Sequence, residues 1–313
     1  MEYHPIWYFV LEDAECRLRS KKHTPIVAAG AALNISPKYP YWLNGNCLHI
    51  NTEDSAAAAF TKVPGAVEDL ARDAISQMQA HNVVKPAFIL THSKDANNKS
   101  RTVANVWKDV LVNKLGLVLD GNEESFCMGI KASQLKFSPK AVDQEIRYVR
   151  ATIQNDFAGV LDVEPGGKEG LEWRTVKCQE LLSRSESEGL TYLCYLADVS
   201  VARFLVTFVP PSSLPQTHHV DGKKLAFVTR VNTKDEFQRR GYAKQILEFG
   251  LKDLFENYNV ETVVLFADEE GPIALYKGIG FEILDSRIEL NFELKNLTAF
   301  LFLATLSSEI TQL

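Results

Sequence analysis

The run 238–243, Gln-Arg-Arg-Gly-Tyr-Ala, has the residue types and the spacing to hold a phosphate group. It lies between an apolar segment typical of a β-strand, 225–231, and a helical pattern that begins at Ala243. The first N–H groups of a helix have no partner within the helix, and the positive end of the helix dipole adds to their attraction for anions. Because Gly241 has no side chain, an anion can approach the main chain there. The run therefore predicts a backbone cradle for a pyrophosphate.

The segments around this cradle predict a β-α-β unit. The helix has one apolar face, at the three-and-four spacing of residues that pack on a core. The residues of that face are Ala243, Ile246, Leu247, Gly250, Leu251, Leu254 and Phe255. The unbroken apolar run 263–266 is typical of a strand buried on both faces. Gly and Pro at 271–272 predict the start of a short helix that carries Tyr276, and two final strands are expected at 281–284 and 288–294.

These residues resemble the motifs of the GCN5-related N-acetyltransferase (GNAT) superfamily. Gln-x-x-Gly-x-Ala at 238–243 is similar to the first motif of that family, Arg/Gln-x-x-Gly-x-Gly/Ala, and is followed by Ala-Leu-Tyr at 274–276 and Gly-Phe at 280–281. The combination is specific because the glycine motif lies between the required strand and helix. The resemblance covers the C-terminal half of the chain and implies an α/β fold with a mixed, twisted sheet flanked by helices.

The first half of the chain contains a damaged copy of the same pattern. A helical stripe at 67–78 leads to an apolar strand at 87–90, then to a helix at 103–115 and a closing strand at 125–130. The copy has no paired arginines and no matching tyrosine, and Pro64 removes a backbone donor where a pyrophosphate would need one. These losses favour folding without cofactor chemistry.

We therefore predict two tandem GNAT-like domains. Residues 1–140 form a degenerate domain without the cofactor motif, and residues 141–313 form the catalytic domain. The segment 137–140, Phe-Ser-Pro-Lys, is a candidate linker because proline and small polar residues stand between two patterned regions.

The resemblance implies a role for each residue of the cradle. The strand before it supplies backbone groups to the pantetheine arm and the thioester carbonyl, a role that falls on Val231 and Thr233. The family often has proline where this chain has Thr233. The amides of 239–243 take the pyrophosphate, and the side chains of Arg239 and Arg240 reach outlying phosphates. The implied cofactor-binding residues are Val231, Thr233, Gln238, Arg239, Arg240, Gly241, Tyr242 and Ala243, and the implied co-substrate is acetyl-CoA.

Acyl transfer from a thioester to an amine needs a proton for the departing thiolate and a base for the proton of the amine. The resemblance gives the first role to Tyr276, because a matching tyrosine in many relatives bonds the coenzyme sulfur; the alternative is a tyrosine that only packs on the sheet. For the base, the sequence offers the carboxylates at 268–270, with Glu269 as the candidate and a solvated loop as the alternative. His218 and His219 border the acceptor site in the family, and solvent exposure is the alternative for them.

Composition and charge argue against several classes of protein. The net charge of -6 argues against general binding to nucleic acid or anionic membranes. The five cysteines include no Cys-x-x-Cys pair, so neither a zinc site nor a disulfide framework is indicated, and reduced thiols suit a cytoplasmic or nuclear protein. No leader opens the chain, and the apolar tail 299–304 is far shorter than the ~20 residues of a membrane span. We expect no metal, nucleic-acid or membrane partner, and a homodimer is left open.

The sequence thus predicts an N-acetyltransferase that moves an acetyl group from acetyl-CoA to an amine by direct attack in a ternary complex. No cysteine lies near Tyr276 or the cradle in sequence, so there is no pointer to an acyl-enzyme. The alternative is a non-catalytic acyl-CoA-binding regulatory or scaffold module, because no obvious base is present. The acceptor, an amine-bearing small molecule or protein, is not specified, although the carboxylates at 268–270 would suit a cationic one.

Overall fold

A computed structural model describes residues 22–35, 46–52, 55–83, 87–93, 98–136, 145–164, 171–209 and 224–293. Its strands are β1 Lys22–Ile26, β2 Ala31–Ile35, β3 Cys47–Asn51, β4 Ala87–Ser93, β5 Val118–Lys131, β6 Ile146–Arg150, β7 Gly189–Leu196, β8 Val199–Val209, β9 Lys224–Thr233, β10 Val260–Ala267 and β11 Glu282–Glu293. Its helices are α1 Ser55–Phe60, α2 Ala66–Ala80, α3 Asn98–Asp109, α4 Ile153–Val163, α5 Leu171–Leu182, α6 Tyr242–Asn257 and α7 Glu270–Ile279. A π-turn at Val110–Lys114 continues α3, and 3-10 turns lie at Val27–Ala29, Ala132–Gln134 and Asp235–Phe237.

The N-terminal unit comprises the described residues from 22 to 124 together with 287–293. Its strands lie in the order β1-β2-β3-β4-β11; β3 and β4 run parallel, and the other neighbours run antiparallel. Residues of α1, α2 and α3 complete its apolar core. Phe88, Trp107 and Phe292 are fully buried in that core.

The C-terminal unit comprises the described residues from 125 to 286. Its strands lie in the order β5-β10-β9-β8-β7-β6; β9 and β10 run parallel, and the other neighbours run antiparallel. Side chains alternate along β7: Tyr192 and Cys194 pack in the core with α6, whereas Leu193 and Tyr195 pack with α4 and α5. Because successive residues of a strand point to opposite faces, α6 covers one face of this sheet and the α4–α5 pair covers the other.

The local elements follow the sequence pattern closely around the cradle. The strand predicted at 225–231 is β9, the helix predicted from Ala243 is α6, and the apolar run 263–266 lies within β10. The two strands predicted at 281–284 and 288–294 are instead one continuous strand, β11. Each unit is a mixed sheet flanked by helices, which confirms the predicted fold class.

Strands β5 and β11 each contribute residues to both units. β5 enters the C-terminal unit at Ser125, and its residues 126–131 pair with β10. β11 enters the N-terminal unit at Arg287, and its residues 287–293 pair with β4. Each half of the chain therefore gives its last strand to the sheet of the other half.

Because of this exchange, the compact units differ from the predicted domains in the residues that they contain. The strand predicted at 125–130 as the closing strand of the first domain is bound to β10 in the C-terminal unit. The bounds of the units therefore differ from the predicted bounds, 1–140 and 141–313. The residue pattern does not specify which strands pair, because the edge of one strand can pair with the edge of any other. The linker predicted at 137–140 lies outside the described residues.

We expect Phe292→Ala to destabilise the N-terminal unit by about 3–5 kcal/mol, the usual cost of truncating a buried phenylalanine. Phe292 is fully buried and lies opposite Phe88 of β4. Hydrogen exchange measured by mass spectrometry should accelerate in β4 and change little in β9, because the two strands belong to different units.

The matched control for this variant is Ile283→Ala, on the same strand but in the C-terminal unit. Ile283 is 41% exposed, so its truncation should change the free energy of unfolding by less than about 1 kcal/mol. Unchanged exchange in β4 of the Phe292→Ala protein would contradict the assignment of this strand to the N-terminal core.

None of the helices in the described ranges is both long enough and apolar enough to cross a membrane. The tail 299–304 lies outside the described residues.

Candidate functional site

The first N–H groups of helix α6 receive no hydrogen bond from a capping side chain and no negative charge from the first turn. Its N-cap is Gly241, whose φ of 91° is in the left-handed region that favours glycine. The amide of Gln245 donates to the carbonyl of Gly241 at 3.1 Å, so the amides of Tyr242 and Ala243 have no carbonyl partner within the helix. None of the described residues of the first turn is acidic. The helix end can therefore attract an anion.

The turn between β9 and α6 is held by Gln238. Its Nε2 donates to Oδ1 of Asp235 at 2.7 Å and to the carbonyl of Thr233 at 3.4 Å, and its amide donates to the carbonyl of Asp235 at 3.3 Å. These bonds are made inside the turn. Gln238 therefore holds the turn between β9 and α6, and its amide is already engaged.

The two arginines of the turn lie at the surface. Arg239 has a φ of 58°, and both Arg239 and Arg240 are exposed. The guanidinium carbon of Arg240 lies 5.4 Å from the ring centroid of Phe237, and that ring meets the buried ring of Tyr242 edge-on with centroids 6.1 Å apart. Tyr242 therefore anchors the start of α6 in the core while the arginines remain accessible to phosphates.

The end of β9 separates from β10. The pairing of β9 with β8 skips Thr229, which forms a β-bulge, and among the described residues the pairing of β9 with β10 ends at Phe227 opposite Val264. Beyond that pair no strand in the described part of the chain pairs with the β10 side of β9 as far as Thr233. An open strand edge of this kind can bond an extended ligand through its backbone.

Thr233 supplies a further polar group at this edge. Its hydroxyl Oγ1 is buried and has no hydrogen-bond partner among the residues that the structure describes. A buried hydroxyl without a partner costs free energy, so a ligand group that bonds it would be stabilised.

The bulge also decides which side chains of β9 face which helices. Val228 packs in the core with α6, and because Thr229 is an extra residue, Val231 returns to the same face three positions later. Arg230 and Asn232 are thereby directed to the face covered by α4 and α5. Val231 and its backbone lie in the separated segment, to which the family resemblance assigned the thioester contact.

Tyr276 lies on α7 in the same apolar core as Tyr242. It is 8% exposed, and its ring packs edge-on against Phe281 with centroids 5.6 Å apart. Burial raises the pKa of Tyr276 to about 12, and the negative charge of Asp268 adds to the rise. Its phenol therefore stays protonated at every ordinary pH and can act as a proton donor.

The three predicted carboxylates lie at the start of α7 and are all exposed: Asp268, Glu269 and Glu270. Glu269 is the N-cap of α7; its carbonyl accepts from the amide of Ile273 at 3.1 Å, and its side chain makes no capping bond within the described helix. Of the three, Asp268 acts on Tyr276 electrostatically. His218 and His219 lie outside the described residues.

The corresponding place in the N-terminal unit has the same backbone but different charges. Gly65 is the N-cap of α2 with a φ of 79°, and the amide of Asp69 donates to its carbonyl at 2.9 Å. The next amide, of Ala66, donates to the carbonyl of Val63 at 3.2 Å and is already engaged. A cavity of about 480 Å³ lies beside this helix start.

Two carboxylates occupy the first turn of α2, those of Glu68 and Asp69. Hydrogen bonds from Arg72 and Lys114 hold the pKa of Glu68 below its usual value, so its charge is retained. These negative charges would repel a phosphate from the helix end. An acidic first turn of this kind can be recognised from the residues alone.

No group of three or more His, Cys, Asp or Glu side chains within the described ranges is arranged to hold a metal ion.

No protein-family model matches the chain. No curated protein sequence matches it either.

Solved structures nevertheless share its fold. The chain is similar to a GCN5-related N-acetyltransferase from Kribbella flavida, at 13% identity and a TM-score of 0.57, over 93% of this chain and 96% of that one. It is similar to a conserved protein of unknown function from Staphylococcus epidermidis ATCC 12228, at 13% identity and a TM-score of 0.57, over 87% and 94%. A tandem GNAT protein from the clavulanic acid biosynthesis pathway matches at 13% identity and a TM-score of 0.52, over 74% and 70%. The chain has the GNAT fold in tandem, as the resemblance implied.

Proposed function

We propose that this chain is an acetyl-CoA-dependent N-acetyltransferase whose site lies in the C-terminal unit. The observation that carries the proposal is the glycine-capped start of α6. Gly241 has a left-handed φ, the described first turn contains no acidic side chain, and a bulged strand with an open edge comes directly before it. The GNAT fold supports the same conclusion.

The described residues fit the two ends of an acyl-CoA. The amides at the start of α6 suit a pyrophosphate, and the exposed Arg239 and Arg240 suit its outlying phosphates. The open edge of β9, with Val231 and the hydroxyl of Thr233 that no described residue bonds, suits the pantetheine arm and the thioester carbonyl.

In the proposed reaction the amine nitrogen attacks the thioester carbonyl, a C–N bond forms and the C–S bond breaks. Tyr276 donates its phenolic proton to the departing thiolate, a role that its neutral, buried phenol suits. The proton lost by the nitrogen passes to Glu269, directly or through water, or to its neighbours Asp268 and Glu270. The chain itself forms no covalent bond to the acyl group in this scheme.

We propose no cofactor for the N-terminal unit. Glu68 and Asp69 oppose an anion at the start of α2, and the amide of Ala66 is engaged by Val63. The unit is proposed to support the C-terminal unit structurally.

The proposed setting is a reducing compartment, the cytoplasm or the nucleus. Four of the five cysteines are described, and all four are buried thiols that form no disulfide with one another: Cys47, Cys127, Cys178 and Cys194. Burial raises the pKa of Cys178, and that of Cys194 to about 12, which keeps these thiols unreactive. We propose an amine-bearing small molecule or protein as the acceptor, without a metal, nucleic acid or membrane partner.

The alternative function is a regulatory or scaffold module that binds acyl-CoA without turnover. The carboxylates at 268–270 favour it, because all three are exposed and none of them is an obvious catalytic base.

Calorimetric titration of the full chain with acetyl-CoA, followed by a coenzyme-A release assay across a panel of amines, tests the proposal. Saturable binding with amine-dependent release is the expected result. Binding without release from any amine would favour the regulatory module, and the absence of binding would overturn both functions.

A further inference from the structure

The separated segment of β9, residues 230–233, is paired on one edge and open on the other. It pairs with residues 202–205 of β8, whereas the pairing of β9 with β10 ends at Phe227. The facing edge of β10 beyond Val264 has no strand partner either in the described part of the chain. Two open edges satisfy each other's backbone groups when they meet, so other contacts have to keep this segment on the β8 side.

Side chains at every second position of the segment provide such contacts on the face covered by α4. Nη1 of Arg230 donates to Oε1 of Glu164, the residue that ends α4, at 3.0 Å. Asn232 lies opposite Arg203 of β8, and its Oδ1 accepts from Nε and Nη2 of that guanidinium at 3.3 and 3.2 Å. Positions 230 and 232 share this face because successive residues of a strand face opposite sides.

Arg203 connects Asn232 to the end of α4. Its Nη2 donates to Oε2 of Glu164, and its Nη1 donates to the carbonyl of Val160 at 3.3 Å. The side chains of Arg203 and Glu164 are both buried. We call Val160, Asp162 and Glu164 together the α4 terminus.

Lys234 makes a third link to the α4 terminus, nearer the surface. Its amide donates to the carbonyl of Val201 at 3.0 Å, which continues the pairing of β9 with β8, and its Nζ donates to Oδ2 of Asp162. The hydroxyl of Ser200 donates to the same Oδ2 at 3.1 Å. The side chain of Lys234 is 13% exposed and that of Asp162 is 57% exposed, so Asp162 can be changed without opening the core.

The residues between these linked positions face the other way and belong to the proposed donor site. Val231 packs with the core of α6, and Oγ1 of Thr233 is buried without a partner among the described residues. The links at 230, 232 and 234 therefore determine where Val231 and Thr233 lie. A donor held by its phosphates at the start of α6 can use both only if the segment stays in place.

We propose that the α4 terminus positions the separated segment for the pantetheine arm of the donor, with Asp162 as a positioning residue that acts through Lys234. The inference rests on the proposed acetyltransferase function and adds to it a residue outside the motifs at 238–243 and 274–276. Acetyl-CoA affinity then falls in proportion to the fraction of molecules in which the segment has moved. Phosphates bound at the start of α6 are independent of that fraction.

Asp162→Asn should weaken the binding of acetyl-CoA by about 3- to 10-fold, a value between those of exposed and of shielded charged hydrogen bonds. The affinity for adenosine 3′,5′-bisphosphate, the part of coenzyme A without the pantetheine arm, should stay within about twofold. Calorimetry on the full chain measures both. A general loss of structure would weaken the two ligands together, so the difference between them reports positioning.

Glu256→Gln is the matched control. It removes a carboxylate from another exposed ion pair of the same unit, with Lys252 along α6 at 3.9 Å, and should bind both ligands as the wild type does. Lys234→Gln should reproduce the effect of Asp162→Asn. The double variant should lose no more affinity than either single variant, because the two changes remove one contact.

Hydrogen exchange of the ligand-free protein gives a second readout. In Asp162→Asn the amides of 230–234 should exchange faster than in the wild type, by a factor close to the loss of acetyl-CoA affinity. Exchange in α7 should not change, because none of the three links involves that helix.

The outcomes separate this inference from the proposed function. If the wild type binds acetyl-CoA and Asp162→Asn binds it equally well, or loses affinity for both ligands alike, the inference is overturned and the proposed function stands. Additive losses in the double variant, or unchanged exchange at 230–234, would also overturn the inference alone. Absence of acetyl-CoA binding by the wild type would overturn the proposed function and the inference together.

Discussion

Gly241→Glu should abolish acetyl-CoA binding, with an affinity loss of more than about 100-fold. Gly241 has a φ of 91°, so any side chain there is strained, and a glutamate adds a negative charge at the helix end proposed to hold the pyrophosphate. Each lost hydrogen bond to a charged group costs about 1.5–3 kcal/mol, and two such losses already exceed that factor. Calorimetry on the folded variant measures the change.

The chain contains its own control for this variant. Gly65 has the same place at the start of α2 and a φ of 79°, so Gly65→Glu imposes a similar backbone strain on the N-terminal unit. Its acetyl-CoA affinity should equal that of the wild type. If Gly65→Glu abolished binding and Gly241→Glu did not, the cofactor would belong to the N-terminal unit.

Tyr276→Phe should lower kcat by about 10²- to 10⁴-fold, the usual cost of losing a general acid. The substitution removes one hydroxyl from a side chain that is 8% exposed and leaves the packing against Phe281 in place, so acetyl-CoA affinity should stay within a few fold. Single-turnover kinetics with saturating substrates isolate the chemical step. A wild-type rate in that step would leave Tyr276 with a packing role alone.

Tyr195→Phe is the matched control for this variant. Tyr195 is also 8% exposed, and its pKa is also raised to about 12, by burial and by its bond to Asp156, but it lies on the face covered by α4 and α5. Its turnover should remain near that of the wild type. Because burial keeps the phenol of Tyr276 neutral, the kcat of the wild type should not fall until the pH exceeds about 11, whereas an unperturbed tyrosine would give a fall near pH 10.

The sequence predicted the elements that depend on local pattern. The start of α6, its apolar face and the strand before it each depend on residues that are close together in the sequence. A period of 3.6 residues is typical of a helix and a period of 2 of a strand, so the pattern predicts both. Tyr276 was placed on a helix after the second parallel strand for the same reason. The GNAT fold was implied by the resemblance of the motifs at 238–243, 274–276 and 280–281 to those of that family.

Features that depend on pairing could not be predicted in this way. The bulge at Thr229 carries no residue signature, yet it decides that Val231 and not Arg230 faces α6. The carboxylate of Glu164 accepts hydrogen bonds from Arg203 and Arg230, which lie 39 and 66 positions further along the chain and come together only in the completed sheet. The partners of β5 and β11 were missed because a strand edge accepts more than one neighbour.

The exchanged strands also determine when the sheet of the N-terminal unit can close during synthesis on the ribosome. Strand β4 needs residues 287–293 to cover its second edge, and these residues emerge only after the whole of 125–286 has been translated. At about 5–20 residues per second, that edge stays open for roughly 10–30 s, long enough to meet a chaperone or a neighbouring nascent chain. A message cut short before Arg287 would yield an N-terminal unit in which β4 has one open edge, so the sheet of that unit can close only after residues 125–286 have been translated.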